Sequence, residues 1–257
     1  MTAGVTPPPE DDPDPIPPLD PQLVLGAYSV GVFPMADGRD AADVYWVEPT
    51  ERAILPLDGF HLSHSLRKTL VSDRFRVTAN HAFPQILELC AQSVANRPDT
   101  WINAPIERVT NQLHAMGFAH SIEVWEGDTL AGGLYGIALG RAFFGESMVS
   151  RARDASKVAM AWLVARLRIG DFTLLDCQFL TDHLASLGAI EISRADYLVA
   201  LSAAISGVVG SGASPTAAGD FFALDRGVSL EPGAPPPATE SGPPSGKVIA
   251  QLLIHTS

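Results

Sequence analysis

Polar and apolar positions alternate most informatively between residues 140 and 180, GRAFFGESMVSRARDASKVAMAWLVARLRIGDFTLLDCQFL. A period of two places Phe144, Glu146 and Met148 on one face of a first strand, so that one acid lies between two large apolar groups. In a second strand Leu174, Asp176, Gln178 and Leu180 share one face, and Thr173, Leu175, Cys177 and Phe179 the other. Between the strands the period lengthens. Asp154 can cap a helix that runs through Val158, Trp162 and Leu167 to a stop at Gly170. From Val158 to Ala165 this helix is apolar almost all round, which predicts burial on more than one side. Two strands with polar residues facing inward, joined by a buried helix, predict a site.

The same reading extends along the chain. PQLVLGAYSVG has helical spacing with Gly31 as its stop. VYWV and AILPL read as short strands, SHSLRKTL as a helix capped by Ser63, Arg74 to Thr78 as a strand and AFPQILELCAQ as a helix. Together these predict a small N-terminal α+β domain over residues 20–96. NRPDTWINAP is a loop that carries an aromatic, suited to a lid or a wall. IERVTNQLHAMG is an amphipathic helix, and SIEVWEG, LAGGLYGIALG and RAFFGESMV form an antiparallel meander. After the opening stretch come a short helix at TDHLASLG, a strand at IEI and a helix at SRADYLVALSAAIS. The larger domain therefore spans 97–206. Residues 207–246 are rich in Gly, Ala, Ser and Pro and read as a linker or loose tail, and the apolar segment 247–257 is able to dock back.

With 257 residues the chain can bury a proper core without metals or disulfides. Two distant cysteines, no apolar leader and no membrane-length apolar run favour a cytoplasmic protein. Residues 1–19, Pro-rich and acidic, read as a disordered tail. The net charge of -12 argues against non-specific coating of nucleic acid. Setting aside five negatives in the first twenty residues and a net two after Ser206 leaves -5 for residues 21–205. Local basic clusters persist there: Arg67 and Lys68 with Arg74 and Arg76, and Arg151, Arg153 and Lys157. On charge alone each reads as solvated surface.

Four chemistries deserve weighing. His61 and His64 lack companions at zinc-site spacing, so no metal site is expected. Cys177 with His183 as base is disfavoured, because Cys177 points away from Asp176 and Gln178 and nothing nearby depresses its pKa. SRARDAS contains no glycine with which to wrap a pyrophosphate. Asp176 and Gln178 opposite Glu146 form either a structural hydrogen-bond network or a site, since polar groups in apolar strands need partners.

The segments GVFPM, YWVEP, FHLSHSLRKTL, TWINAPI, HSIEVWEGDTLAGGLYGIALGRAFFGESMVSRARDASKVA and LLDCQFLTDHLASLGAIEISRADYL, in that order, resemble the leucyl/phenylalanyl-tRNA–protein transferases. The likeness covers about residues 22–200. It departs from the commonest family form at Met35 and at Tyr45, where Trp is frequent.

The resemblance implies an α+β (mixed α/β) fold: a small N-terminal domain and a larger acetyltransferase-like (GNAT-like) domain with a mixed, largely antiparallel sheet. It implies a monomeric enzyme that moves Leu or Phe, less readily Met, from aminoacyl-tRNA to the α-amine of proteins beginning with Lys or Arg, marking them for N-degron degradation. The ester is already activated, so no cofactor, ATP or metal is implied. Asp176 is implied to draw the amine's proton or orient the amine with Gln178, and Glu146 to hold the acceptor. Leu134, Phe143 and Met148 are implied walls for the Leu or Phe side chain, although strict alternation sets Phe143 opposite Met148. Trp46 and Trp101 are implied to stack on the terminal adenine, and Arg67, Lys68 and Arg74 to contact tRNA. SRARDAS becomes the support that fixes Glu146 relative to Asp176. Two rival functions are an acyl-CoA-dependent N-acyltransferase and a non-catalytic adaptor for basic N-termini.

Overall fold

The computed structural model of the protein describes residues 18–92, 100–206, 218–226 and 244–254. The expected tail at 1–19 falls almost wholly outside them, as do the boundary near Asn96 and most of 207–246. The chain opens with helix α1 (Pro21–Ser29), where Asp20 accepts from the Gln22 N–H as a cap and proline occupies the first turn. Strands β1 (Phe33–Met35) and β2 (Tyr45–Val47) follow and pair antiparallel as a two-stranded sheet.

The remaining strands form one seven-stranded sheet. They are β3 (Glu51–Ile54), β4 (Arg76–Ala79), β5 (Ala119–Glu126), β6 (Thr129–Leu139), β7 (Ala142–Ser150), β8 (Leu174–Gln178) and β9 (Ile190–Ser193), in the order β4-β5-β6-β7-β8-β3-β9. Every neighbouring pair is antiparallel except β7 and β8. The mixed, largely antiparallel sheet expected from the sequence is the one that forms. Strands β3 and β4, read as parts of the small domain, add to this large sheet at separate places: β4 at one edge, β3 between β8 and β9. Both pairings join segments far apart in sequence, beyond the reach of local periodicity.

Two apolar cores lie on the two faces. One packs the sheet against α2 (His64–Val71), α5 (Ala155–Ile169) and α8 (Gly246–Ile254). The other packs it against α1, α3 (Phe83–Ala91), α4 (Ala104–Ala115) and α7 (Arg194–Ile205). A single short helix, α6 (Asp182–Ala185), follows β8. The parallel β7–β8 pair needs a crossover, and α5 supplies it. Its apolar circumference is explained by burial of nearly every residue from Ala155 to Leu167. Asp154 stands at the start of α5 in a left-handed conformation (φ 69°) and its carboxylate makes no capping bond, contrary to its expected role.

Within the stretch read as linker or loose tail, residues 218–226 pack onto the body. Phe221 and Leu224 are buried, and Arg166 donates to the Phe221 carbonyl at 2.8 Å and to both oxygens of Asp225. Two apolar anchors and one buried guanidinium outweigh the Gly- and Ser-rich composition around them.

Candidate functional site

The site arises where two strands part. Backbone pairing of β7 with β8 runs Ala142↔Leu174, Phe143↔Leu175 and Phe144↔Asp176 and ends there. Beyond that point residues 145–148 and 177–179 line a cavity of about 540 Å³. Leu134, Met148, Met160, Leu163, Leu175 and Leu184 supply apolar wall, and Trp101, Glu146, Gln178, Thr181 and His183 also face it. Such a volume and lining suit a small apolar group held by a few polar contacts.

A β-bulge corrects the predicted faces of the first strand. Gly136 stands opposite Gly145 and Tyr135 opposite Ser147, so Glu146 is the extra residue. Gly136 is required here, because a Cβ would meet the Phe144 carbonyl oxygen at 2.3 Å. The bulge inverts the alternation: Phe144 joins the core under α1, whereas Phe143 and Met148 both join the core under α5. Phe144, Glu146 and Met148 therefore do not share a face, and the conflict between Phe143 and Met148 disappears.

Not every expected wall residue reaches the cavity. Leu134, Met148 and Trp101 line it. Phe143 does not; it is fully buried beside Phe172 and Phe221, with ring centroids 6.4 and 5.8 Å away. Trp46 lies on β2 opposite Pro34, is 39% exposed and is not part of the lining. Met160, Leu163 and Leu184 were legible as apolar positions, but nothing in their spacing distinguishes a wall from a core.

Glu146 accepts from Gln178 Nε2 at 3.0 Å and is hydrogen-bonded to Tyr28. Burial pushes its carboxyl up to about 7. Tyr28 and Gln178, by hydrogen bonding, and the Arg52 charge pull the other way, while the Asp176 charge adds to the rise. A carboxyl poised there can hold or release a proton near neutral pH.

Gln178 closes β8 in the left-handed region (φ 62°), a costly conformation for a residue with a Cβ. Its own N–H donates to Asp176 Oδ1 at 2.8 Å, which fixes that geometry. Asp176 is fully buried and does not line the cavity. Its oxygens accept from Arg52 Nε and Nη2, the Tyr197 hydroxyl and the Gln178 N–H. The acid expected to meet the amine thus sits behind the wall. Arg52, Tyr28 and Tyr197 were missed; the available signal was a lone Arg flanking the apolar run AIL in β3 and single tyrosines in apolar helices.

Cys177 and His183 share the cavity. Burial raises the Cys177 thiol well above its usual range, which leaves it a poor nucleophile. Burial and then the Lys157 charge lower His183, and its Nε2 is buried without a partner among the described residues.

Arg67 and Lys68 lie on α2 and, with His64, Val71 and Ser72, line a shallow cleft. Arg74 is engaged with Glu126 at 2.8 Å and lies over the Phe75 ring. No cluster of metal-ligating side chains occurs among the described residues, and no helix there is long and apolar enough to cross a membrane.

A mixed sheet parts over an apolar cavity with a carboxyl and an amide at its polar side, an arrangement that suits an enzyme that positions a small apolar group for transfer. The family model described as leucyl/phenylalanyl-tRNA protein transferase matches residues 54–202, and that of its N-terminal domain residues 18–50. A leucyl/phenylalanyl-tRNA–protein transferase of Rhizorhabdus wittichii is 59% identical over 249 residues, which is 93% of this chain and 99% of the relative. One of Zymomonas mobilis is 61% identical over 188 residues, 73% of this chain and 70% of the relative. The chain belongs to the leucyl/phenylalanyl-tRNA–protein transferases, a family of aminoacyltransferases.

Proposed function

We propose that the protein transfers Leu or Phe, and less readily Met, from aminoacyl-tRNA to the α-amine of proteins beginning with Lys or Arg, in the cytoplasm, and so marks them for degradation. The observation that carries this reading is the apolar cavity with Glu146 and Gln178 on its wall. The cavity takes the Leu or Phe side chain, and the ester carbonyl lies toward the two polar groups. An additional methylene in such a cavity is worth about 1–3 kcal/mol, so Leu, Met and Phe are graded and Ala fails.

The acceptor α-amine is mostly ammonium at pH 7, since it titrates near about 8. Glu146, near 7, takes its proton at little cost. The free amine attacks the ester carbonyl carbon. A C–N bond forms, the C–O bond to the terminal ribose breaks, and the second amine proton leaves with the ribose oxygen. Gln178 orients Glu146 and the amine; positioning of the two substrates supplies much of the rate. Trp101 on the cavity wall stacks on the terminal adenine, and Arg67 and Lys68 on α2 meet the tRNA backbone. Arg74 is the weaker candidate, because Glu126 already occupies it.

The test is transfer of labelled leucine from Leu-tRNA to peptides starting with Arg, Lys or Ala, with labelled acetyl-CoA as a second donor. Transfer to the Arg and Lys peptides from tRNA alone is expected. Equal transfer to the Ala peptide, or acetylation in place of leucylation, defeats the reading.

A further inference from the structure

A charge pair that no sequence motif announces lies behind the cavity wall. Arg52 is 1% exposed and enters from β3, which pairs with β8. Its Nε lies 2.9 and 3.0 Å from the two Asp176 oxygens, and its Nη2 lies 2.6 Å from Oδ2. The guanidinium sits over the rings of Phe33 and Tyr197 at 4.6 and 4.7 Å, and its Nη1 donates to the Gly31 carbonyl at 3.2 Å. The Tyr197 hydroxyl donates to Asp176 Oδ2 at 2.8 Å. Arg52 falls in the gap between the two matched family ranges, and through Gly31 and Phe33 it ties the N-terminal segment to the strand that carries the site.

Planar, bidentate pairing of this kind fixes a carboxylate in orientation as well as in charge. A further donor on Asp176 is the N–H of Gln178, whose backbone is strained and whose side chain reaches Glu146. The chain of contacts therefore runs from Arg52 through Asp176 and Gln178 to the cavity.

We infer that Arg52 is a positioning residue of the transfer site: it holds Asp176, which fixes Gln178 against Glu146, so that Asp176 supports the wall and does not take the amine's proton. The inference rests on the transferase reading. Asp176 has no face on the cavity, and among the described residues its two oxygens accept from Arg52, Tyr197 and the Gln178 N–H. The titratable groups around Glu146 are Tyr28 from α1, Arg52 from β3, Tyr135 from β6, Asp176 and Cys177 from β8, and His183 from α6. Among them Asp176 and Arg52 act on Glu146 with opposite sign, Asp176 raising its pKa and Arg52 lowering it.

The test measures leucine transfer to an Arg peptide against pH in the full chain carrying Asp176→Asn, Arg52→Met, both, or Tyr197→Phe. Asp176→Asn leaves a buried guanidinium unpaired and is expected to lower kcat at least tenfold, with KM for Leu-tRNA unchanged and the acid limb moved to lower pH. Arg52→Met is expected to lower kcat and move the limb up. The double variant removes both charges, so it should transfer at least fivefold faster than Asp176→Asn, with the limb returned toward wild type. Tyr197→Phe should cost a few-fold in kcat alone. If Arg52→Met does not fold, the double variant against Asp176→Asn still decides. A double variant no faster than Asp176→Asn, or a folded Arg52→Met with wild-type kcat and limb, overturns the inference. Absence of transfer by the wild type defeats the functional reading and the inference with it, whereas the double-variant result defeats the inference alone.

Discussion

Asp176 and Glu146 stand on neighbouring strands, and the last backbone pair between those strands is Phe144 with Asp176. Their surroundings are opposite. Asp176 is sealed from the cavity and bound to a guanidinium; Glu146 faces the cavity with hydrogen bonds from Tyr28 and Gln178 and no cation bound to it among the described residues. One acid has been given everything that fixes a charge in place, the other what makes a proton exchangeable near neutrality. The difference comes from the strands parting: before the split a polar group is enclosed by protein on every side, after it one side faces the cavity.

The largest effect expected from breaking this contrast is on stability. Asp176→Ala strands the Arg52 charge in the interior and should cost about 3–5 kcal/mol, read by denaturant unfolding. Glu146→Gln should do the reverse at alkaline pH. Folding raises the Glu146 pKa, so between its ordinary value and about 7 the native state holds more protons than the unfolded chain. Wild-type stability therefore falls as pH rises through that window, and Gln removes the slope. The variant should match wild type near pH 4 and exceed it by about 3 kcal/mol at pH 8. Equal stability of the two proteins at pH 8 would show that Glu146 is not perturbed.

Smaller effects sharpen the role of the cavity. Leu134→Phe fills wall space and should penalise Phe transfer over Leu transfer by about 1–3 kcal/mol in kcat/KM, or roughly 5- to 150-fold. Phe143→Leu, a change beside the cavity rather than in it, should leave that ratio unaltered. Charge reversal at Arg67 and Lys68 should weaken Leu-tRNA binding and flatten its salt dependence, while Arg74→Ala changes it less.

Much of this was legible in the residues themselves. Alternation and helical spacing marked out the β5–β7 meander, α5 and β8, and the ordered motifs pointed to the family. What escaped was set by contacts distant in sequence. Arg52 meets Asp176 across 124 positions, and no local pattern foretells that pairing. The Glu146 bulge is a single inserted residue that inverts every later assignment of face in β7, and its only trace is the small residues Gly136 and Gly145 standing opposite each other. Phe221 and Leu224 were hidden because composition averages over a window and two anchors suffice to dock a segment.

The most direct test of the contrast is the pH dependence of single-turnover leucine transfer to an Arg peptide in wild type and Glu146→Gln. The wild-type rate should rise through an acid limb near pH 7, and the variant should keep only the later limb of the amine's own titration near about 8 and transfer at least about tenfold more slowly at pH 7, a barrier increase of roughly 1.4 kcal/mol. A Glu146→Gln enzyme that keeps both the rate and the earlier limb would contradict the assignment of Glu146 as the group that takes the proton.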